Sequence, residues 1–294
     1  MRPLQVSSFV LEWHYIVDHL SNSNGARMKQ SHSFATGFIK VFCEAGTGLL
    51  VLDNPQRKNA VTAAMWRAIP DAIHWLHVEA GARVIVLAGG GHADFSAGAD
   101  ISEFSELRKD ASTARIYEAS NSRAFAAIRE APVPVIAAVR GVCYGGGFGL
   151  AAAADLRLAS SDAVFAVPAT RLGLAYPADA VQDFVRSLGS QLARRALFTG
   201  GALKAQELLA SGFLSELTGP EDLDQRAQIL ADTIAANAPL SLRASKLALR
   251  AVEQGDDDLL REAEIIGAST FESDDYREGR AAFAERRRPV FTGR

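Results

Sequence analysis

Two short stretches could present main-chain N–H groups to a reacting oxygen. One is Cys-Tyr-Gly-Gly-Gly-Phe-Gly-Leu over residues 143–150, the other Phe-Ser-Ala-Gly-Ala-Asp over residues 95–100. Glycine inside a helix costs about 1 kcal/mol relative to alanine. Three in a row at the start of an alanine-rich run therefore imply a requirement other than helix stability. A backbone N–H stabilises a developing oxyanion only if the substrate can come close to the main chain. A helix N-terminus adds unpaired donors and a favourable dipole. The glycine-containing loop at 95–104 is the natural source of a second donor.

Other chemistries fit less well. Residues 147–152 match Gly-x-Gly-x-x-Ala, a dinucleotide-binding turn that should follow a strand and open a helix. The next strand begins near Asp155, too soon for the usual crossover, and no acid lies between 163 and 178 to hold a ribose. For a serine hydrolase, all six histidines (14, 19, 32, 74, 77 and 92) precede residue 93 and no Gly-x-Ser-x-Gly is present. His74 and His77 read as one face of a helix, and no ligand set for a metal emerges.

The elements that must position these loops can be read from hydropathy. Residues 38–53 form two strands joined at Gly46–Gly48, and a helix covers 62–78. Residues 82–89, 133–139 and 155–160 are apolar strands, with helical stretches up to about 130 in which Ile116, Ala124 and Ile128 share a face. The chain is mainly helical from 189 onward, with an apolar stripe of Leu223, Ala227, Leu230 and Ile234. This pattern predicts an α/β core followed by an α-helical C-terminal region.

At 294 residues, 48% hydrophobic and net charge −3, the chain is long and apolar enough for a substantial core. The charge gives no reason to expect nucleic acid or a membrane as partner. Two cysteines, Cys43 and Cys143, without a Cys-x-x-Cys pair point to a reducing cytoplasm. Residues 11–20 are too interrupted by charge for a signal-peptide core, and Met28 is an alternative natural start.

Taken in order, residues 52–61, 84–104, 134–160, 165–174 and 278–294 resemble the enoyl-CoA hydratase/isomerase family, or crotonase superfamily. The resemblance implies a spiral of ββα units over 37–200, a helical trimerisation region over 201–294, and an N-terminal extension over 1–36 expected to be flexible. It implies an acyl-CoA thioester substrate, no separate cofactor since coenzyme A is part of the substrate, and assembly as a homotrimer or dimer of trimers. The two oxyanion donors fall on Ala99 and Gly146. Arg57, Lys58 and Ala60 are expected along the pantetheine–phosphate path, Ala97, Asp100 and Ile101 along the acyl-CoA turn, and Phe283 near the adenine. Arg286, Arg287 and Arg288 are candidates for phosphate pairing.

The sequence departs from the family where hydratases carry two water-activating glutamates: Gly149 and Ala169 stand there. Tyr176 matches a tyrosine of methylmalonyl-CoA decarboxylase-like members, and Asp179 lies nearby. Ordinary hydration is therefore not expected. A decarboxylase-like or other lyase reaction, with Tyr176 as a hydrogen-bond donor, leads over a catalytically silent acyl-CoA-binding paralogue or oligomer partner. Adding Gly149→Glu and Ala169→Glu together is expected to raise crotonyl-CoA hydration if the pocket has room.

Overall fold

The computed structural model describes residues 30–294, so Met28 and the 11–20 segment lie outside the described residues. In chain order the strands are β1 (Gln30–Phe34), β2 (Ile39–Glu44), β3 (Thr47–Leu52), β4 (Val84–Gly89), β5 (Val135–Val139), β6 (Val142–Tyr144), β7 (Leu156–Ser160), β8 (Val164–Ala166), β9 (Leu203–Lys204) and β10 (Glu216–Thr218). The helices are α1 (Ala63–His74), α2 (Phe104–Leu107), α3 (Ala111–Arg129), α4 (Gly146–Ala153), α5 (Ala178–Leu188), α6 (Ser190–Thr199), α7 (Ala205–Ala210), α8 (Leu223–Ala235), α9 (Pro239–Gln254), α10 (Asp257–Ser269) and α11 (Asp274–Glu285).

One sheet runs β1-β2-β3-β4-β5-β7-β10 and a smaller one β6-β8-β9. The centre of the large sheet is parallel, with Leu50 opposite Leu87 and Ile85 opposite Val135. Its strands are apolar on both faces, as a parallel sheet covered on both sides requires. Alternate residues divide by the period of two. Leu50, Leu52, Ile85, Leu87, Val135 and Ala137 pack with Trp66, Ile69 and Phe125 of α1 and α3. Leu49, Val51, Val84, Val86, Ile136 and Ala138 pack with Leu223, Ala227 and Ala231 of α8. Strand pairs followed by a helix recur as β2-β3-α1, β5-β6-α4 and β7-β8 leading to α5.

Three expectations need correction. Residues 30–34, placed in a flexible extension, form β1 and pair antiparallel with β2. The boundary at 200 cuts through the core, because β9 and β10 lie beyond it and β10 pairs with β7. Ile116 does not share the buried face of Ala124 and Ile128, for its side chain is 71% exposed. Cys43 and Cys143 are both buried free thiols. Among the described residues no helix is long and apolar enough to cross a membrane, and no group of three or more His, Cys, Asp or Glu could hold a metal ion.

Candidate active site

The loop after β4 is fixed by main-chain bonds to two neighbours. Ser96 N–H donates to the Val142 carbonyl at 2.9 Å, and Tyr144 N–H donates to the Ser96 carbonyl at 2.9 Å. The next turn pairs with Val61, whose N–H donates to the Gly98 carbonyl at 2.7 Å and whose carbonyl accepts from Asp100 N–H at 3.0 Å. In such a bridge the intervening residue turns its own N–H to the opposite side. That residue is Ala99.

Opposite Ala99 the chain leaves β6 and enters α4. Gly145 N–H donates to the Ala166 carbonyl at 2.8 Å, which extends the small sheet to the helix start. Gly145 has φ 47° and ψ −118°, a backbone open to glycine but not comfortably to other residues. Gly146 is the first helical residue, whose N–H has no partner inside the helix. A Cβ on Gly146 would lie 3.6 Å from the Ala99 nitrogen. The two N–H-bearing residues are thus neighbours across one gap.

Both residues line a cavity of about 120 Å³ with Ala97, Ile101, Gly145, Ala169 and Tyr176. The glycines are also required by the packing of the protein itself. A Cβ on Gly146 would stand 2.6 Å from the Trp66 ring, and one on Gly147 would stand 2.7 Å from the Ser96 Cβ. Close packing of α4 on α1 and on the Ser96 loop therefore forbids side chains at 146 and 147.

Gly149 is buried beneath this wall. A Cβ there would lie 2.6 Å from the Tyr176 hydroxyl and 2.8 Å from the Phe125 ring. The space beside Gly149 is filled by a phenol and a phenyl ring, so the room that Gly149→Glu requires is not there. The Tyr176 hydroxyl donates to the Gly145 carbonyl at 2.9 Å. Burial, with smaller contributions from Cys143, Asp179 and Asp183, pushes its pKa well above the ordinary 10. It is a fixed donor and no base. Asp179 accepts from the Ser122 hydroxyl at 3.1 Å in the first turn of α5 and is not on the cavity wall.

The remaining sequence candidates divide. Ala97 and Ile101 are on the wall, but Asp100 turns away. Its carboxylate accepts from Arg57 at 2.9 Å and from the Ser102 hydroxyl at 2.7 Å, and it caps the turn after Ala99. Burial alone would raise its carboxyl pKa; the Ser102 N–H and O–H and the Arg57 guanidinium outweigh that and hold it below 3.8. Arg57, Lys58 and Ala60 are off the wall but adjoin it, since Ala97 N–H donates to the Lys58 carbonyl at 2.8 Å. Phe283, 87% exposed, lines a separate hollow with Tyr276 and Phe291. Arg287 is engaged by Glu278 and Glu285.

Sequence reading missed the polar part of the wall. Glu118, Asn121 and Phe125 lie on one stripe of α3 at helical spacing, and all line the cavity with Arg108. The Arg108 guanidinium lies 4.3 Å from the Phe104 ring centre and 4.6 Å from that of Tyr117, with Glu118 at 3.4 Å. Glu118 is the one carboxylate among the described lining residues. The i, i+3, i+7 spacing was present in the sequence. Nothing there showed that this face of α3 meets a cavity instead of solvent.

Residues 43–294 match the family model described as enoyl-CoA hydratase/isomerase. The short-chain-enoyl-CoA hydratase of Clostridium acetobutylicum is 30% identical over 247 residues, covering 83% of this chain and 94% of that protein. The crotonyl-CoA hydratase of Syntrophomonas wolfei is 31% identical over 250 residues, covering 84% and 95%. Among solved structures, an enoyl-CoA hydratase/carnithine racemase from Magnetospirillum magneticum superposes with a TM-score of 0.82 at 31% identity, covering 87% of this chain and 96% of that one.

Proposed function

The chain belongs to the enoyl-CoA hydratase/isomerase family, and from that premise we propose that it processes an acyl-CoA thioester by stabilising an enolate between the N–H groups of Ala99 and Gly146. Within that chemistry we assign it a decarboxylase-like or other lyase reaction in place of hydration. The observation that carries this choice is the pair of positions 149 and 169. Neither bears a carboxylate, and the space beside Gly149 is taken by the Tyr176 hydroxyl and the Phe125 ring. A hydratase must deliver both water and a proton to one double bond, work that general acid–base groups accelerate by about 10²–10⁴-fold.

Decarboxylation asks for less. The bond between the α-carbon and the departing carboxylate breaks, its electron pair moves into the thioester carbonyl, and carbon dioxide leaves. The enolate oxygen then rests on two N–H donors, and the α-carbon later takes a proton. No base is needed to start the sequence. Losing either donor would cost about 2.7–4 kcal/mol of transition-state stabilisation.

Glu118 favours a second reading. One carboxylate suffices to move a double bond: it takes a proton from the α-carbon, the enolate is held as before, and the same proton returns to the γ-carbon. The discriminating experiment is mass spectrometry of the purified protein with enoyl-, malonyl- and methylmalonyl-type CoA thioesters. Loss of carbon dioxide supports the first reading, and an unchanged mass with a shifted double bond the second. Efficient hydration of crotonyl-CoA overturns both. Binding without turnover across the panel would make the chain a silent acyl-CoA-binding paralogue.

A further inference from the structure

The glycines that open the backbone to the cavity also leave one peptide unit with no side chain on either side to fix its orientation. Gly145 adopts φ 47° and ψ −118°, the conformation of the first central residue of a type II′ turn. Neither Gly145 nor Gly146 has a Cβ to resist rotation of the peptide plane between them. Half a turn would swing the Gly146 N–H out of the cavity and bring the Gly145 carbonyl in. A donor would be replaced by an acceptor where negative charge is to develop.

Two hydrogen bonds oppose that rotation. The Gly145 oxygen accepts from the Gly149 N–H at 3.0 Å, in the first turn of α4, and from the Tyr176 hydroxyl at 2.9 Å. We propose that Tyr176 is a positioning residue: it holds the Gly145–Gly146 peptide with its N–H toward the cavity and, by drawing on the carbonyl, makes that N–H a stronger donor to a thioester oxygen. This rests on the assignment of Ala99 and Gly146 as the oxyanion donors.

Three observations support the role. Carbonyl and N–H belong to one amide, so a bond accepted at one end polarises the other, a strengthening of ~10–30% per bond. The hydroxyl proton is already committed, and the raised pKa keeps it on the oxygen at any working pH. Finally, residues 149 and 176 explain each other. With any Cβ at 149 the hydroxyl could not remain 2.9 Å from the carbonyl, because that Cβ would stand 2.6 Å from it. The Tyr176 ring is set by Phe184, at 5.3 Å between centres, and by Pro177, which leads directly into α5.

The test uses the full-length protein and cinnamoyl-CoA, a conjugated thioester whose absorption moves to longer wavelength when its carbonyl oxygen accepts a strong hydrogen bond. Wild type is expected to bind it with a red shift. Tyr176→Phe keeps the ring and should bind within about threefold of wild type, since uniform binding is untouched. Its red shift should fall by half or more. On the natural substrate kcat should drop about 10-fold with little change in KM, less than the ~10²–10³-fold that follows loss of an entire donor. The pH profile should keep its shape, whereas a tyrosine exchanging protons would remove a limb. Tyr176→p-aminophenylalanine returns a donor to the ring and should restore the red shift, which separates positioning from damage to the fold. Tyr176→Phe with a full red shift and unchanged kcat overturns the proposal. A wild-type complex with no red shift overturns the oxyanion assignment itself, and the proposal with it.

Discussion

At Gly98 a Cβ would stand 2.7 Å from the Tyr144 carbonyl oxygen and 3.1 Å from the Gly146 nitrogen, on a backbone with φ 93°. This residue sets the spacing between the Ala99 loop and the start of α4. Gly98→Ala is expected to lower stability by about 1–3 kcal/mol through backbone strain, and to reduce the cinnamoyl-CoA red shift by more than the stability loss explains. Thermal melting and absorption spectra of the same sample check both. A second prediction concerns hydration. Gly149→Glu should destabilise the protein severely because Tyr176 and Phe125 occupy its space, while Ala169→Glu, on the half-buried cavity wall, should fold. A double variant that folded and hydrated crotonyl-CoA would show the wall to be more yielding than its packing indicates. Asp100 supplies a pH prediction. Its pKa in the fold lies below the ordinary 3.8, so it stabilises the Ala99 turn fully above that value and loses the contribution as pH falls through the lowered one. Asp100→Asn should narrow the difference in melting temperature between pH 6 and strongly acid solution, relative to wild type.

The helix α4 shows how far an element can be read before its surroundings are known. Its sequence gives no amphipathic face, and every residue from Gly147 to Ala153 is buried. That its glycines answer a requirement other than helix stability was legible, since three in a row open an alanine-rich run. Their further duties were not, because Trp66 and Ser96 reach them from elements roughly fifty to eighty residues earlier. The long apolar strands β3, β4, β5 and β7 could be placed from hydropathy alone. The two- and three-residue strands β6, β8, β9 and β10 could not, since they exist only through pairing such as Glu216 with Leu158 and Val164 with Lys204. The Arg108–Glu118 pair was hidden for a similar reason: Arg108 caps the end of α2, and its meeting with Glu118 on α3 depends on how the chain turns between the two helices. Gly145 offers a test confined to the element. Open space surrounds its missing Cβ, so Gly145→Ala meets only the cost of a positive φ. We expect a folded protein with a displaced Gly146 N–H and turnover reduced about 10²-fold, near the loss of one donor. Unchanged turnover would mean that the φ at 145 does not set the orientation of that N–H.

Across the whole molecule the C-terminal helices stand apart from α8. That helix buries Leu223, Ala227 and Ala231 against the large sheet, whereas α9 is anchored by a polar contact, the Lys246 ammonium reaching the Val133 carbonyl at 3.0 Å and Asp155 at 2.7 Å. Burial lowers the Lys246 pKa despite the opposing charge of Asp155. On α9, Leu249 is 65% and Val252 72% exposed, and Ile265 and Phe271 are exposed on the segment that follows. The family resemblance gives the expected assembly, a trimer or a dimer of trimers, and covering exposed apolar side chains such as these would favour it by about 25 cal/mol per Å² of apolar area. Light scattering at micromolar concentration should therefore report a multiple of three chains. Leu249→Asp with Val252→Asp should shift the population toward monomer, because a carboxylate carried into an apolar contact must be desolvated without a partner. Cinnamoyl-CoA should still show its red shift in that monomer, since Ala99, Gly146 and Tyr176 all belong to one chain's cavity. A wild type that remains monomeric would refute the assembly, and a monomeric variant that loses the red shift would place part of the site on a neighbouring subunit.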